Sequence, residues 1–123
     1  MTAVSTQSFY VEQVREVTVI DFAVQSIDEH NFEFVSDELF EIAEYLMSTF
    51  PIRVVVDLSK VRQMDDWGLA MLRAFQETID NHNGTVIFCR VPQSVTKFMS
   101  ETGFTNGFQI CDSQNEALRL VNN

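Results

Sequence analysis

The run Arg53-Val54-Val55-Val56-Asp57-Leu58 constrains this chain more than any other stretch. It is continuous and β-branched, without the polar alternation of a strand that keeps one wet face. Runs of this kind belong to central strands covered on both sides. Thr85 to Arg90 repeats the signature. Between the two, Asp66 to His82 places Leu69, Leu72, Phe75 and Ile79 at helical spacing and meets Asn83-Gly84, the expected left-handed exit of a helix. Strands that alternate with helices in this way indicate an α/β fold.

The remaining segments fill in the architecture. From Phe9 to Phe22 the pattern alternates, with Arg15-Glu16 in the middle, and predicts a β-hairpin without glycine. Phe32 to Tyr45 is an amphipathic helix with Phe32, Val35, Leu39, Ile42 and Leu46 on one face and Glu33, Asp37, Glu41 and Glu44 on another. Phe50-Pro51 ends it. Pro92 suits the first turn of a third helix, Gln93 to Thr102, which stops at Gly103. Phe108 to Cys111 reads as a short last strand, and Ser113 with Glu116 forms a capping box that opens a final helix. The expectation is a single domain over residues 1–123: a sandwich of a mixed sheet, an N-terminal hairpin and about four helices mainly on one side. Residues 1–8 are expected to be loosely ordered.

Composition narrows the function. A formal net charge of −10 repels nucleic-acid backbones and anionic lipid surfaces. The eight Lys and Arg are scattered and make no basic stripe. A protein partner with a basic patch suits such a surface better. Neither Cys89 nor Cys111 belongs to a CxxC pair or a Cys/His cluster, so both read as reduced core thiols. With no signal peptide and no apolar run long enough to span a membrane, the expected location is the cytoplasm.

Val54 to Leu72 reads VVVDLSKVRQMDDWGLAML. This stretch resembles the STAS family, the anti-sigma factor antagonists and their relatives. The family pattern is a hydrophobic strand ending in D-L-S, a loop of the form x-V-x-x-[IM]-D, then S-[ST]-G-L opening a helix. The match runs through Asp57, Leu58, Ser59, Val61, Met64, Asp65, Gly68 and Leu69. Asn83-Gly84, Val95 to Phe98, Thr102-Gly103-Phe104 and Asp112-Ser113 with Glu116-Ala117-Leu118 also look like the family, so the resemblance extends from Phe9 onward. It implies partner switching. An antagonist binds an anti-sigma kinase and releases the sigma factor; the kinase phosphorylates the serine after the loop aspartate, and a phosphatase resets it. The added charge alters a docking surface at a helix N-terminus.

In this chain Asp66 and Trp67 occupy the two hydroxyl positions of that motif. Asp66 therefore stands at the family phosphosite and takes no phosphate. It carries roughly one charge where a phosphoserine carries nearly two. The reading is a non-catalytic interaction module in partner-switching signalling or transcription regulation, with Met64, Asp65, Asp66, Trp67 and Gly68 as the partner-binding residues and no cofactor or metal. Trp67, the only tryptophan, is either a partner anchor or ordinary core. Asp66 is the expected N-cap of its helix, and Asp65 is expected to order the loop. Ser59, Thr78, Ser94, Thr96, Ser100 and Thr102 are expected in turn or cap roles, and His30 and His82 at the surface or at caps.

Two rivals stand beside this reading. In the first, the same fold is a constitutive scaffold subunit of a signalling complex, with a homodimer through the sheet edge or the hairpin as an option. In the second, Asp57 is the phosphoacceptor of a receiver domain, or Asp57, Asp65 and Asp66 hold Mg²⁺ in an enzyme. A receiver also needs an acidic pair after its first strand and a Lys after its last, whereas this chain offers a lone Asp21 and no Lys near Cys111.

Overall fold

The computed structural model describes residues 3–102 and 107–122. Gly103 and Phe104, the expected stop of the third helix and its flank, lie outside the described residues. Strands β1 (Ala3–Ser5), β2 (Phe9–Val14) and β3 (Val17–Phe22) come first, and β4 (Ser26–Ile27) leads to helix α1 (Phe32–Met47). Then follow β5 (Arg53–Asp57), β6 (Gln63–Met64), α2 (Asp66–Asn81), β7 (Thr85–Cys89), α3 (Gln93–Glu101), β8 (Ile110–Cys111) and α4 (Gln114–Val121). Six strands form one mixed sheet in the order β1-β2-β3-β5-β7-β8, antiparallel at the hairpin end and parallel from β3 onward. β4 and β6 make a separate parallel pair.

The apolar run of β5 is explained by what covers it. Val54 and Val56 pack into a core with Val35, Leu39, Leu72 and Phe75, which α1 and α2 supply, and with Val95 and Met99 of α3. Val55 points the other way, into a second cluster with Val17, Val19, Ile87 and the α4 residues Ala117 and Val121. Three helices thus cover one face and α4 the other. A strand with a helical layer on each side has no reason to alternate in polarity.

Several local features bear on the sequence expectations. In place of a loose N-terminus, Ala3–Ser5 pairs antiparallel with β2, Val4 opposite Val11; three residues are too few to leave a periodic signal. The hairpin turns without glycine because Arg15 takes the left-handed conformation, at φ 58°. At the expected left-handed exit of α2, Asn83-Gly84, the residue that takes that conformation is Asn83, at φ 61°. Asn tolerates that region better than most residues. Cys89 and Cys111 are free, buried and register partners on neighbouring strands. Burial first, and then the nearby Asp57 charge, push the Cys89 thiol up to about 12.

Candidate functional site

The motif residues gather at a corner where two helices begin side by side. The β4–β6 pairing sets Ser26 beside Gln63 and Ile27 beside Met64, so the approaches to α1 and α2 run together. Backbone bonds tie them. The Arg62 N–H donates to the Gln25 carbonyl at 2.7 Å, and the Asp65 N–H to the Ile27 carbonyl at 3.1 Å. Asn31 closes the loop before α1: its Oδ1 accepts from the Asp28 N–H at 3.0 Å and its Nδ2 donates to the Ser26 carbonyl at 2.8 Å.

Asp65 is the hinge of this corner. Its Oδ1 accepts from the Trp67 and Gly68 N–H groups at 3.0 and 3.1 Å, which caps α2. Its Oδ2 accepts from the Glu29 N–H at 2.9 Å, across the corner on the α1 side. One carboxylate therefore satisfies orphan amides of a helix start and of the opposite loop. This corrects the expected cap: Asp65, not Asp66, is the N-cap residue. Two adjacent acids before an apolar helical stripe satisfy the capping rule equally well, and a one-residue shift of boundary decides between them.

The structure divides the five predicted partner-binding residues by depth. Met64 and Gly68 are buried. Gly68 packs so tightly that a Cβ would lie 2.7 Å from the Ile27 carbonyl oxygen. Asp65 is half-buried, with both oxygens engaged. Asp66 and Trp67 remain at the surface. Asp66 is in the first turn of α2, where a carboxylate favours the positive end of the helix dipole. Trp67 is 51% exposed. Its ring lies 4.8 Å from that of Phe32, tilted by 31°. It is thus neither plain core nor a free side chain, but an exposed ring backed by another. Sequence reasoning assigned Phe32 to the buried stripe of its helix. The usable signal was its place at the very start of that stripe, one turn before Val35, where little chain remains to cover it.

Asp57 is separate from this corner and closed. Its Oδ2 accepts from Arg90 and from Gln114 Nε2, at 3.0 Å for the latter, and its Oδ1 accepts from the Ser59 N–H at 2.9 Å. The side chain has no solvent exposure. Burial alone would raise its pKa, but the Ser59 amide and the Arg90 guanidinium outweigh that and hold the carboxyl below the usual range. Arg90 is pushed up in turn, by its bond to Asp57 and by that group's charge. The carboxylate is thus engaged at both oxygens and shielded from solvent in this structure. Among the described residues no three His, Cys, Asp or Glu side chains are grouped to hold a metal ion.

The other polar residues fall in local roles. His30 is exposed, and His82 Nδ1 donates to the Thr78 carbonyl at 2.9 Å at the end of α2. Thr78 donates back to Ala74, and Ser94 of α3 to the Arg62 carbonyl at 3.0 Å. Ser113 caps α4 by accepting from the Glu116 N–H at 3.1 Å. No described helix is long and apolar enough to cross a membrane.

A family model described as the STAS domain matches residues 9–117. A STAS-domain anti-sigma-factor antagonist from Planctomyces limnophilus superposes with a TM-score of 0.81 at 19% identity, covering 95% of this chain and 99% of that one. An anti-sigma factor antagonist from Mycobacterium paratuberculosis gives a TM-score of 0.78 at 19% identity over 98% and 100% of the two chains. The Bacillus cell fate determinant SpoIIAA in its phosphorylated form gives 0.63 at 17% identity over 92% and 98%. No curated protein matches the chain.

Proposed function

This chain belongs to the STAS domain family, and on that premise we propose that it is a non-catalytic docking module which engages a signalling protein, of the anti-sigma factor or kinase kind, through the corner at the start of α2. The observation that carries the proposal is Trp67: an aromatic ring half exposed, propped on Phe32 and flanked by the exposed carboxylate of Asp66. Backed rings at a surface bury much area on contact at low entropic cost. Asp65, Met64 and Gly68 serve beneath it, by holding the loop and helix start in place. The role is partner switching of the kind that anti-sigma factor antagonists perform.

In this proposal the corner has no phosphorylation cycle, because residues 60 to 72 contain no Ser, Thr or Tyr. The negative charge at Asp66 is permanent, which supports constitutive attachment as a second reading beside partner switching. Capture of a partner from native extract by the immobilised chain, compared with Trp67→Ala, tests the surface. Trp67→Ala should abolish capture while changing stability by less than about 1 kcal/mol. Undiminished capture removes the corner from consideration. Asp66→Ser restores the hydroxyl. An anti-sigma kinase should transfer phosphate to that variant within residues 60 to 72 and leave the unaltered chain unmodified there.

A further inference from the structure

The far end of α1 carries a second surface that the corner does not use. There a cavity of about 630 Å³ opens between the outer strands of the sheet and the last turns of the helix. Val11 and Ile42 belong to its lining, and three further lining residues stand exposed: Val4 at 54%, Tyr45 at 66% and Phe50 at 86%. Concave, mostly apolar sites of several hundred Å³ are where ligands and partner side chains lodge. The charge around it is mainly acidic. Glu16, Glu38 and Glu41 line the cavity, and Arg53, the basic residue among its described lining, is held by Glu16 at 3.0 Å.

We propose that this groove is a second docking site, whose occupant is a basic amphipathic segment of a protein partner. Apolar side chains of the segment fill the cavity beside Tyr45 and Phe50, and its Lys or Arg side chains meet Glu38 and Glu41. A second copy of this chain fits poorly, since a net charge of −10 would bring acid against acid. The two sites are independent in space. Along α1, Tyr45 in the groove lies 13 residues from Phe32, which backs Trp67, or about 20 Å at about 1.5 Å per residue, and Glu38 at the near edge lies about 9 Å from Phe32. One partner can therefore occupy the groove while another sits on Trp67.

A fluorescent amphipathic peptide of Leu and Lys, about 15 residues long so that it can form a helix on binding, is the probe. It is titrated into the full chain and followed by anisotropy. The Leu/Lys peptide should bind, and a Leu/Glu peptide of the same pattern and an all-Lys peptide should bind at least about tenfold more weakly. The double change Tyr45→Ala and Phe50→Ala should weaken the Leu/Lys peptide about tenfold, and Glu41→Lys several-fold. Trp67→Ala should leave it unchanged, so that failure here and failure of the corner are separate results. Equal binding to the double variant, or equal binding of the Leu/Glu peptide, overturns the proposal. Self-association of the chain that the double variant abolishes overturns it too, by making a second copy the occupant. Should the double variant lose its fold, amide shifts of the unaltered chain on peptide addition decide: shifts at residues 42–53 support the groove, and shifts confined to residues 27–32 and 65–69 refute it.

Discussion

Arg90 grips Asp57 through a single oxygen: Nε donates to Oδ2 at 2.8 Å, and Nη2 lies 2.7 Å from the same atom as an ion pair. Arg90 reaches this position from the end of β7 with a left-handed backbone, φ 51°. Gln114 donates to the same oxygen and so joins α4 to β5. Asp57→Ala leaves these donors without an acceptor. The cost should be about 2–4 kcal/mol, short of the full value for a buried pair because the arginine side chain is half exposed. A urea midpoint shift with an unchanged m-value is the measurement; a loss under about 0.5 kcal/mol would contradict the assigned role.

The same pair predicts a pH dependence. Asp57 has a folded pKa below its unfolded value of about 3.9, so in the acid range the unfolded chain binds a proton that the folded chain refuses. Its stabilisation is complete above the unfolded value and disappears as pH falls through the folded one. Urea midpoints measured from about pH 5 down to about pH 3 should fall more steeply for the unaltered chain than for Asp57→Asn. Parallel slopes would assign the acid sensitivity to other carboxylates.

Asp65→Ala removes the cap of α2 and the acceptor for the Glu29 amide together. Loss of a cap costs about 0.5–2 kcal/mol, and the cross-corner bond places this variant at the upper end. Hydrogen exchange should quicken at Trp67, Gly68 and Glu29 while the amides of β5 stay protected. Uniform acceleration over the sheet would mean that Asp65 acts globally.

Gly68→Ala tests the close approach of the two loops. The added methyl meets a backbone carbonyl, Ile27 O at 2.7 Å, as well as the side chains of Ile27 and Met64 at 2.9 Å. Side chains can rotate away, but the carbonyl belongs to the β4–β6 pairing and cannot. Overpacking of this kind costs about 1–3 kcal/mol. A variant that melts at the temperature of the unaltered chain would show that the loops can separate freely.

The parts of the fold legible in the sequence are those whose cause is local. Val54-Val55-Val56 announces its double burial through composition alone, and Leu69, Leu72, Phe75 and Ile79 repeat at the spacing of one helix face. Ser113 and Glu116 lie within a single turn. What the chain hides depends on distant segments or on very short ones. Ala3–Ser5 becomes a strand because β2 is beside it, and nothing within three residues says so. Gln63-Met64 becomes a strand only when Ser26-Ile27 arrives. The grip of Arg90 on Asp57 joins residues 33 apart in sequence. The same holds for the site: the motif located the corner, but which acid caps, and that Trp67 rests on Phe32, follow from how two loops meet.

α4 closes a face whose strands precede it in the chain. Val17, Val19, Val55 and Ile87 have all been synthesised before Ala117 and Val121 arrive to shelter them. Without α4 the sheet would present this apolar face to water while the opposite face is covered by three helices. A chain ended just after residue 112 should therefore aggregate, even though it retains every described strand of the sheet.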